Sequence, residues 1–159
     1  MEKQAREITD SELTELTKTV SKQFFETLPS ITTTFNHKCL INNRLQTTAG
    51  RFITPSCNIE INPKYYAKYG KNSLVDVIKH ELVHYHLYRL GGGFKHGDSD
   101  FKKLCQIVGA PRYCKPLKKP KFTYICKKCS NQFLRMRKVD VKRYRCGSCK
   151  GKLLPYDKI

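Results

Sequence analysis

The sequence predicts an α+β fold, with helices packed on a small sheet of about three strands and a small module built around four cysteines behind it. Three observations carry that expectation. Apolar residues recur at helical intervals over 9–29 and again over 72–91. Between these stretches, residues 31–61 are rich in β-branched and aromatic side chains, interrupted by Asn, Pro and Gly. Near the end stand two Cys-x-x-Cys pairs, Cys126/Cys129 and Cys146/Cys149, with 16 residues between them.

The elements follow in chain order. Thr9-Asp10-Ser11-Glu12 has the form of a capping box, and Leu13, Leu16, Val20 and Phe24 continue as one apolar stripe until Pro29. Ile31 to Phe35 reads as a strand, Asn42-Asn43 as a turn, and Arg44 to Ile53 as a second strand broken at Gly50. Asn58 to Ile61 alternates as a third, a candidate sheet edge for an extended ligand, before Asn62-Pro63 closes it. Tyr65, Tyr66 and Tyr69 fit one helical turn. A longer helix spans Asn72 to Gly91, marked by Ser73 and Gly91, with Leu74, Val75, Ile78, Leu82 and Tyr85 inward and Lys79 and His86 as a narrow polar strip. Gly91-Gly92-Gly93 allows a sharp reversal. Asp98 or Ser99 caps a last helix, with Phe101, Leu104, Cys105 and Val108 inward and Gly109 at its end. A stiff Pro/Lys linker over 115–122 then separates a core of residues 1–114 from the cysteine module of 123–159.

Charge divides the chain the same way. Of a net +18, residues 115–159 hold +13, from 15 Lys/Arg against Asp140 and Asp157. Such a compact basic module points to a polyanion, most often nucleic acid. No N-terminal apolar run of signal-peptide length is present, and no stretch approaches about 18 apolar residues, so no membrane partner is expected. Eight cysteines without a secretory signal suit a reducing, cytoplasmic location.

The chemistry centres on the long helix. His80, Glu81 and His84 stand in the order H-E-x-x-H. At about 100° per residue the two histidines share one face and can grip one metal ion, with Glu81 close beside it. A third ligand is open. No Glu follows Glu81, and His86 points away, which leaves His96, with Asp98 and Asp100 as alternatives or as partners that orient it. Three neutral imidazoles and one open position favour catalytic Zn²⁺. Zinc lowers the pKa of water toward about 7, and Glu81 would take that water's proton and pass it to a leaving amine. Tyr85, Tyr88, Arg112 and Tyr113 are candidates for stabilising the oxyanion. The four-cysteine spacing fits a second, structural Zn²⁺ in a zinc ribbon, its folding coupled to the metal, with Gly147 suited to the tight turn. Between the pairs, Phe133 and Tyr144 are interleaved with Arg135, Arg137, Lys138, Lys142, Arg143 and Arg145, candidate phosphate contacts. Cys39, Cys57, Cys105 and Cys114 read as buried thiols.

His80-Glu81-Leu82-Val83-His84, His96-Gly97-Asp98-Ser99-Asp100-Phe101 and the ribbon cysteines together resemble the SprT-like zinc metallopeptidases, which include short bacterial proteins and the protease domain of Spartan. The resemblance covers essentially the whole chain. It implies a zincin-like minimal metalloprotease core followed by the ribbon. It further implies His80, His84 and His96 as ligands of a catalytic zinc, Glu81 as acid and base, and protein substrates. Spartan-type members degrade proteins trapped covalently on DNA, so the resemblance extends to non-specific binding of single-stranded or duplex DNA and DNA–protein crosslink repair. Asp98 departs from the Pro usual in eukaryotic members. Two other functions fit the residues: a non-enzymatic, zinc-stabilised nucleic-acid-binding or regulatory protein, and a zinc hydrolase of small molecules.

Overall fold

The computed structural model describes residues 8–156, so seven residues of the expected core and three of the expected ribbon lie outside it. The chain divides into two compact units, the first ending at Leu117 and the second starting at Lys118. In the first, α1 (Asp10–Phe24), α2 (Pro63–Tyr69), α3 (Lys71–Arg89) and α4 (Ser99–Val108) accompany a sheet of β1 (Cys39–Ile41), β2 (Gly50–Ile53) and β3 (Asn58–Ile61). The second is a sheet of β4 (Phe122–Cys126), β5 (Gln132–Arg135) and β6 (Leu153–Pro155) in the order β5-β4-β6, antiparallel throughout. The fold is therefore mixed α and β, with small sheets. Among the described residues, no helix is long and apolar enough to cross a membrane.

α1 begins where its sequence says it should. The Thr9 hydroxyl accepts from the Glu12 N–H at 3.2 Å, and the Glu12 carboxylate accepts from the Thr9 N–H at 2.9 Å. Two otherwise orphaned donors are thereby satisfied. Leu13 and Val20 are buried on its inner stripe.

The first sheet differs from expectation in two places. Residues 31–35 form no strand; Ile31 and Phe35 are buried as separate anchors on an irregular segment. The strand comes later, at Cys39–Ile41, because that is where a ladder is available: β1 pairs in parallel with β3, Cys39 opposite Ile59. Of the segment 44–53, only Gly50–Ile53 pairs, antiparallel to β3. The order is β1-β3-β2, so Asn58–Ile61 is the central strand and not the edge. The edge beside α3 is β2. Asn62, fully buried, holds the loop before β2, its side-chain Nδ2 donating to the Leu45 and Thr48 carbonyls at 3.0 Å each, and its Oδ1 caps α2 by accepting from the Lys64 N–H.

α3 runs through the core with Leu74, Val77, Ile78, Leu82 and Val83 buried. It starts at Lys71, behind Gly70 at φ 86°; Ser73 donates its hydroxyl to the Gly70 carbonyl and is not the cap. Past its end Gly91 takes φ 73°, and the Gly92 N–H reaches back to the Leu87 carbonyl at 2.9 Å, the reversal expected of the glycines. The polar strip does not exist as drawn. His86 is fully buried, stacked on Phe25 at 4.8 Å, its ring nitrogens 3.0 Å from Ser21 Oγ and 2.8 Å from Thr33 Oγ1. Both nitrogens have partners, so burial leaves neither stranded. Lys79 sends Nζ to the Val108 carbonyl at 3.1 Å, across the end of α4.

The start of the expected linker is held down. Lys115 N–H donates to the Tyr65 hydroxyl, the Tyr69 hydroxyl to the Pro116 carbonyl, and Lys68 Nζ to the Leu117 carbonyl. These three residues belong to the first unit, and Phe122 already begins β4.

Candidate metal centres

α3 brings His80 and His84 to one face, and the glycine reversal returns His96 to meet them. His80 Nε2 lies 2.9 Å from His96 Nε2, His84 Nε2 3.2 Å from His96 Nε2, and the two helical Nε2 atoms 3.3 Å apart. The other nitrogen of each helical ring is occupied: His80 Nδ1 meets the Pro111 carbonyl at 2.7 Å and His84 Nδ1 the Phe94 carbonyl at 2.6 Å. A carbonyl only accepts, so the proton belongs on Nδ1 and Nε2 presents a lone pair. Burial pushes His80, His84 and His96 below the usual imidazole range, His84 to about 4, which keeps them neutral. The lone pairs of His80 and His84, 3.3 Å apart, repel unless a cation or a proton lies between them. Nitrogens around a tetrahedral ion at ~2.0–2.1 Å stand ~3.3 Å apart, and the observed spacing fits. Phe101, fully buried on α4, floors the group, with ring centroids 4.5 Å from His84, 5.0 Å from His96 and 5.4 Å from His80.

Glu81 is buried beside the trio. Burial pushes its carboxyl up to about 8, against the pull of the Phe52 N–H. Its cover is the edge strand, and Gly50 makes the approach possible: a Cβ there would lie 2.9 Å from both the Glu60 carbonyl oxygen and Val77 Cγ1, and 3.2 Å from Glu81 Oε1. The sequence marks Gly50 only as a break; glycine within a strand was the available sign of close approach. A cleft of about 540 Å³ opens over His80, Glu81, His84 and His96, walled by β2 and by Tyr113 and Cys114. Of the four candidate oxyanion stabilisers, only Tyr113 lines it, its ring 5.4 Å from that of His96. Tyr85 is buried and bonded to the Thr34 carbonyl, Tyr88 packs against Phe52 and Phe94, and Arg112 Nε donates to the His96 carbonyl. Cys39, Cys57 and Cys105 are buried and Cys114 is half-buried; burial pushes the Cys114 thiol up to about 12.

In the second unit, Cys126, Cys129, Cys146 and Cys149 place their sulfurs within 4.8 Å of one another. Cys126 and Cys149 sulfurs are 3.5 Å apart, those of Cys129 and Cys146 3.6 Å. Bonds of ~2.3 Å to one tetrahedral ion set sulfurs ~3.8 Å apart, so this group fits as well. Both turns are built alike. Ser130 (φ 57°) and Lys150 (φ 59°) take left-handed conformations, and their N–H groups return to the Cys126 and Cys146 carbonyls at 2.9 Å. Gly147, singled out from sequence, has open space where a Cβ would stand; Gly151 is the position that needs glycine, since a Cβ would come within 2.7 Å of the Cys126 sulfur.

The six basic candidates of this unit separate. Arg135, Arg137 and Lys138 line a groove of about 330 Å³ with Phe133 and Tyr144. Arg143 lies over the exposed Tyr144 ring, 5.6 Å from its centre. Arg145 instead turns Nη1 onto the Val141, Lys142 and Tyr144 carbonyls. Lys142 and Arg145 do not line the groove.

Comparison with known proteins gives one consistent result. The SprT-like family model matches residues 13–145. A "Protein SprT-like" from Bacillus cereus is 48% identical over 154 residues, 94% of this chain and 97% of the relative. Proteins of the same name are 46% identical in Staphylococcus saprophyticus, over 91% of this chain and 93% of the relative, and 44% in Bacillus subtilis, over 91% and 95%. No solved structure matches.

Proposed function

This chain belongs to the SprT-like family, and we propose that it is a cytoplasmic zinc-dependent endopeptidase, a zincin-like minimal metalloprotease core joined to a DNA-binding zinc ribbon. The observation that carries the reading is the convergence of three Nε2 atoms at 2.9–3.3 Å beside a buried carboxylate, under an open cleft. Both donor sets fit zinc: His80, His84 and His96 would hold a catalytic ion, Cys126, Cys129, Cys146 and Cys149 a structural one. Bound to the three imidazoles, zinc supplies a Lewis acid and makes water acidic enough to attack near neutral pH.

The chain's own groups do the rest. Glu81 takes the proton of the attacking water and delivers it to the leaving nitrogen, and a carboxyl raised by burial serves both strokes. With an ion held by the three imidazoles, Glu81 would rest in its ionised form, ready to accept. The Pro111 and Phe94 carbonyls hold the His80 and His84 rings in the tautomer that leaves Nε2 free. β2 offers a strand edge along which an extended peptide can add by backbone pairing, which favours a polypeptide over a small molecule. Tyr113, which lines the cleft, is the candidate to steady the carbonyl oxygen. In the ribbon, the groove of Arg135, Arg137 and Lys138 with exposed Tyr144 suits phosphates and an unpaired base. Proteins bound or crosslinked to DNA would be brought to the cleft by proximity.

The test is Glu81→Gln assayed against casein and histone with and without DNA. The expected protein keeps both zinc ions and loses cleavage. A wild type that cleaves neither substrate, or a variant that cleaves as well as wild type, would contradict the reading.

A further inference from the structure

The loop of residues 91–98 has two tasks at once. It presents His96, and its Phe94 carbonyl receives the Nδ1 proton of His84 at 2.6 Å. Two of the three imidazoles therefore depend on where this loop lies. The loop is exposed along Lys95, His96 and Gly97 and opens on three glycines, so its own chain supplies little rigidity.

What fixes it comes from the head of α4. Asp100 Oδ2 accepts from the Gly93 N–H at 2.9 Å, and Asp98 Oδ2 accepts from the Lys95 N–H at 2.9 Å. The Asp98 N–H returns to the Lys95 carbonyl at 2.9 Å. Asp98 also fills the notch left by Gly93, where a Cβ would come within 2.8 Å of its own. As a result Asp98, though at the N-cap position, makes no side-chain cap bond to α4. Its carboxylate is turned to the loop. On the far side Arg112 Nε donates to the His96 carbonyl at 3.2 Å. Neither aspartate bonds the His96 ring, which excludes the ring-orienting contact considered from sequence.

We propose that Asp98 and Asp100 are positioning residues for the imidazole site: they hold the loop so that His96 Nε2 and the His84 tautomer are ready before any metal arrives. The proposal rests on the metal-site reading above. It names a carboxylate latch that acts on the ligands through the loop backbone, worth about 10- to 100-fold in metal affinity, the usual range for groups that hold ligands in place.

The experiment uses the full chain with the cysteine site kept on zinc, and titrates the imidazole site with zinc and with Co²⁺ for Asp100→Leu, Asp100→Asn and Gly93→Ala. Asp100→Leu should bind zinc about 10- to 100-fold more weakly and lose intensity in the cobalt visible bands. Asp100→Asn, which keeps an acceptor for the Gly93 N–H, should restore both. Gly93→Ala should resemble Asp100→Leu. Hydrogen exchange on the wild type without metal in the imidazole site supplies a readout free of variants: the Gly93 and Lys95 amides should be protected. Unprotected amides, or Asp100→Leu with wild-type affinity and cobalt spectrum, would overturn the latch. An unperturbed wild type that binds no metal at His80, His84 and His96 would instead overturn the site reading itself.

Discussion

Gly50→Ala isolates the contact between the edge strand and Glu81. The new methyl would meet the Glu60 carbonyl oxygen and Val77 Cγ1, each at 2.9 Å, and Glu81 Oε1 at 3.2 Å. Carbon contacts ordinarily lie at ~3.5–4.0 Å, so Val77 alone must yield by more than about 0.6 Å. Val77 belongs to α3 and Glu60 to β3, so the methyl meets both the helix and the neighbouring strand. Overpacking of this kind costs ~1–3 kcal/mol, and two simultaneous close contacts place the expected loss at about 2–3 kcal/mol. For a chain of this size that lowers Tm by about 4–12 °C. β2 also brings the Phe52 N–H to Glu81, so cleavage should fall by about 10-fold or more, as small misplacements at reacting groups do. Urea unfolding and casein cleavage measure the two effects, with Gly147→Ala as control because nothing lies within 4 Å of its Cβ position. Equal stability and activity in Gly50→Ala and wild type would refute the proposed close packing over Glu81.

Three further outcomes are expected. Cys126→Ser should take zinc from two ions per chain to one and unfold the ribbon while the imidazole site keeps its ion; elemental analysis with circular dichroism decides, and loss of both ions would show the sites to be coupled. Arg135→Glu with Arg137→Glu should weaken DNA binding by about 10-fold and flatten its salt dependence by about two charges, whereas unchanged binding would remove the groove from the interface. Burial lowers His86 to about 4, against ~6.5 in an unfolded chain. Below pH ~6.5 the unfolded state takes a proton that the folded state refuses, so stability complete above that pH should fall toward pH 4 by up to about 3 kcal/mol. Urea midpoints at pH 7 and pH 5 should show a smaller drop in His86→Gln than in wild type, and equal drops would absolve His86.

What was legible in the sequence was local. The capping box at Thr9 and Glu12, the helical face of His80 and His84 and the paired cysteine turns depend on residues within a few positions of one another. The return of His96 was also foreseeable, because three glycines after a helix leave the chain free to double back. Long-range partners decided the rest. Ile31–Phe35 has strand composition but no ladder to join, whereas Cys39–Ile41 pairs with β3 about 20 residues later. His86 looks solvent-facing by helical angle until Ser21 and Thr33, from α1 and the irregular segment, arrive to satisfy it. Gly50 reads first as a break, although a glycine within a strand is also the sign of a close approach. Charge count alone gave six equal candidates in the ribbon, but the fold spends Arg145 on its own backbone and turns Arg135, Arg137 and Lys138 toward one groove.

Anomalous diffraction at the zinc edge from crystals of the full chain bears most directly on the three-histidine centre. The expected map holds two peaks, one ~2.3 Å from the four cysteine sulfurs and one ~2.0–2.1 Å from Nε2 of His80, His84 and His96, with a non-protein fourth ligand facing the cleft. A single peak at the cysteines in zinc-saturated protein, or a fourth protein ligand closing the histidine site, would contradict a catalytic metal.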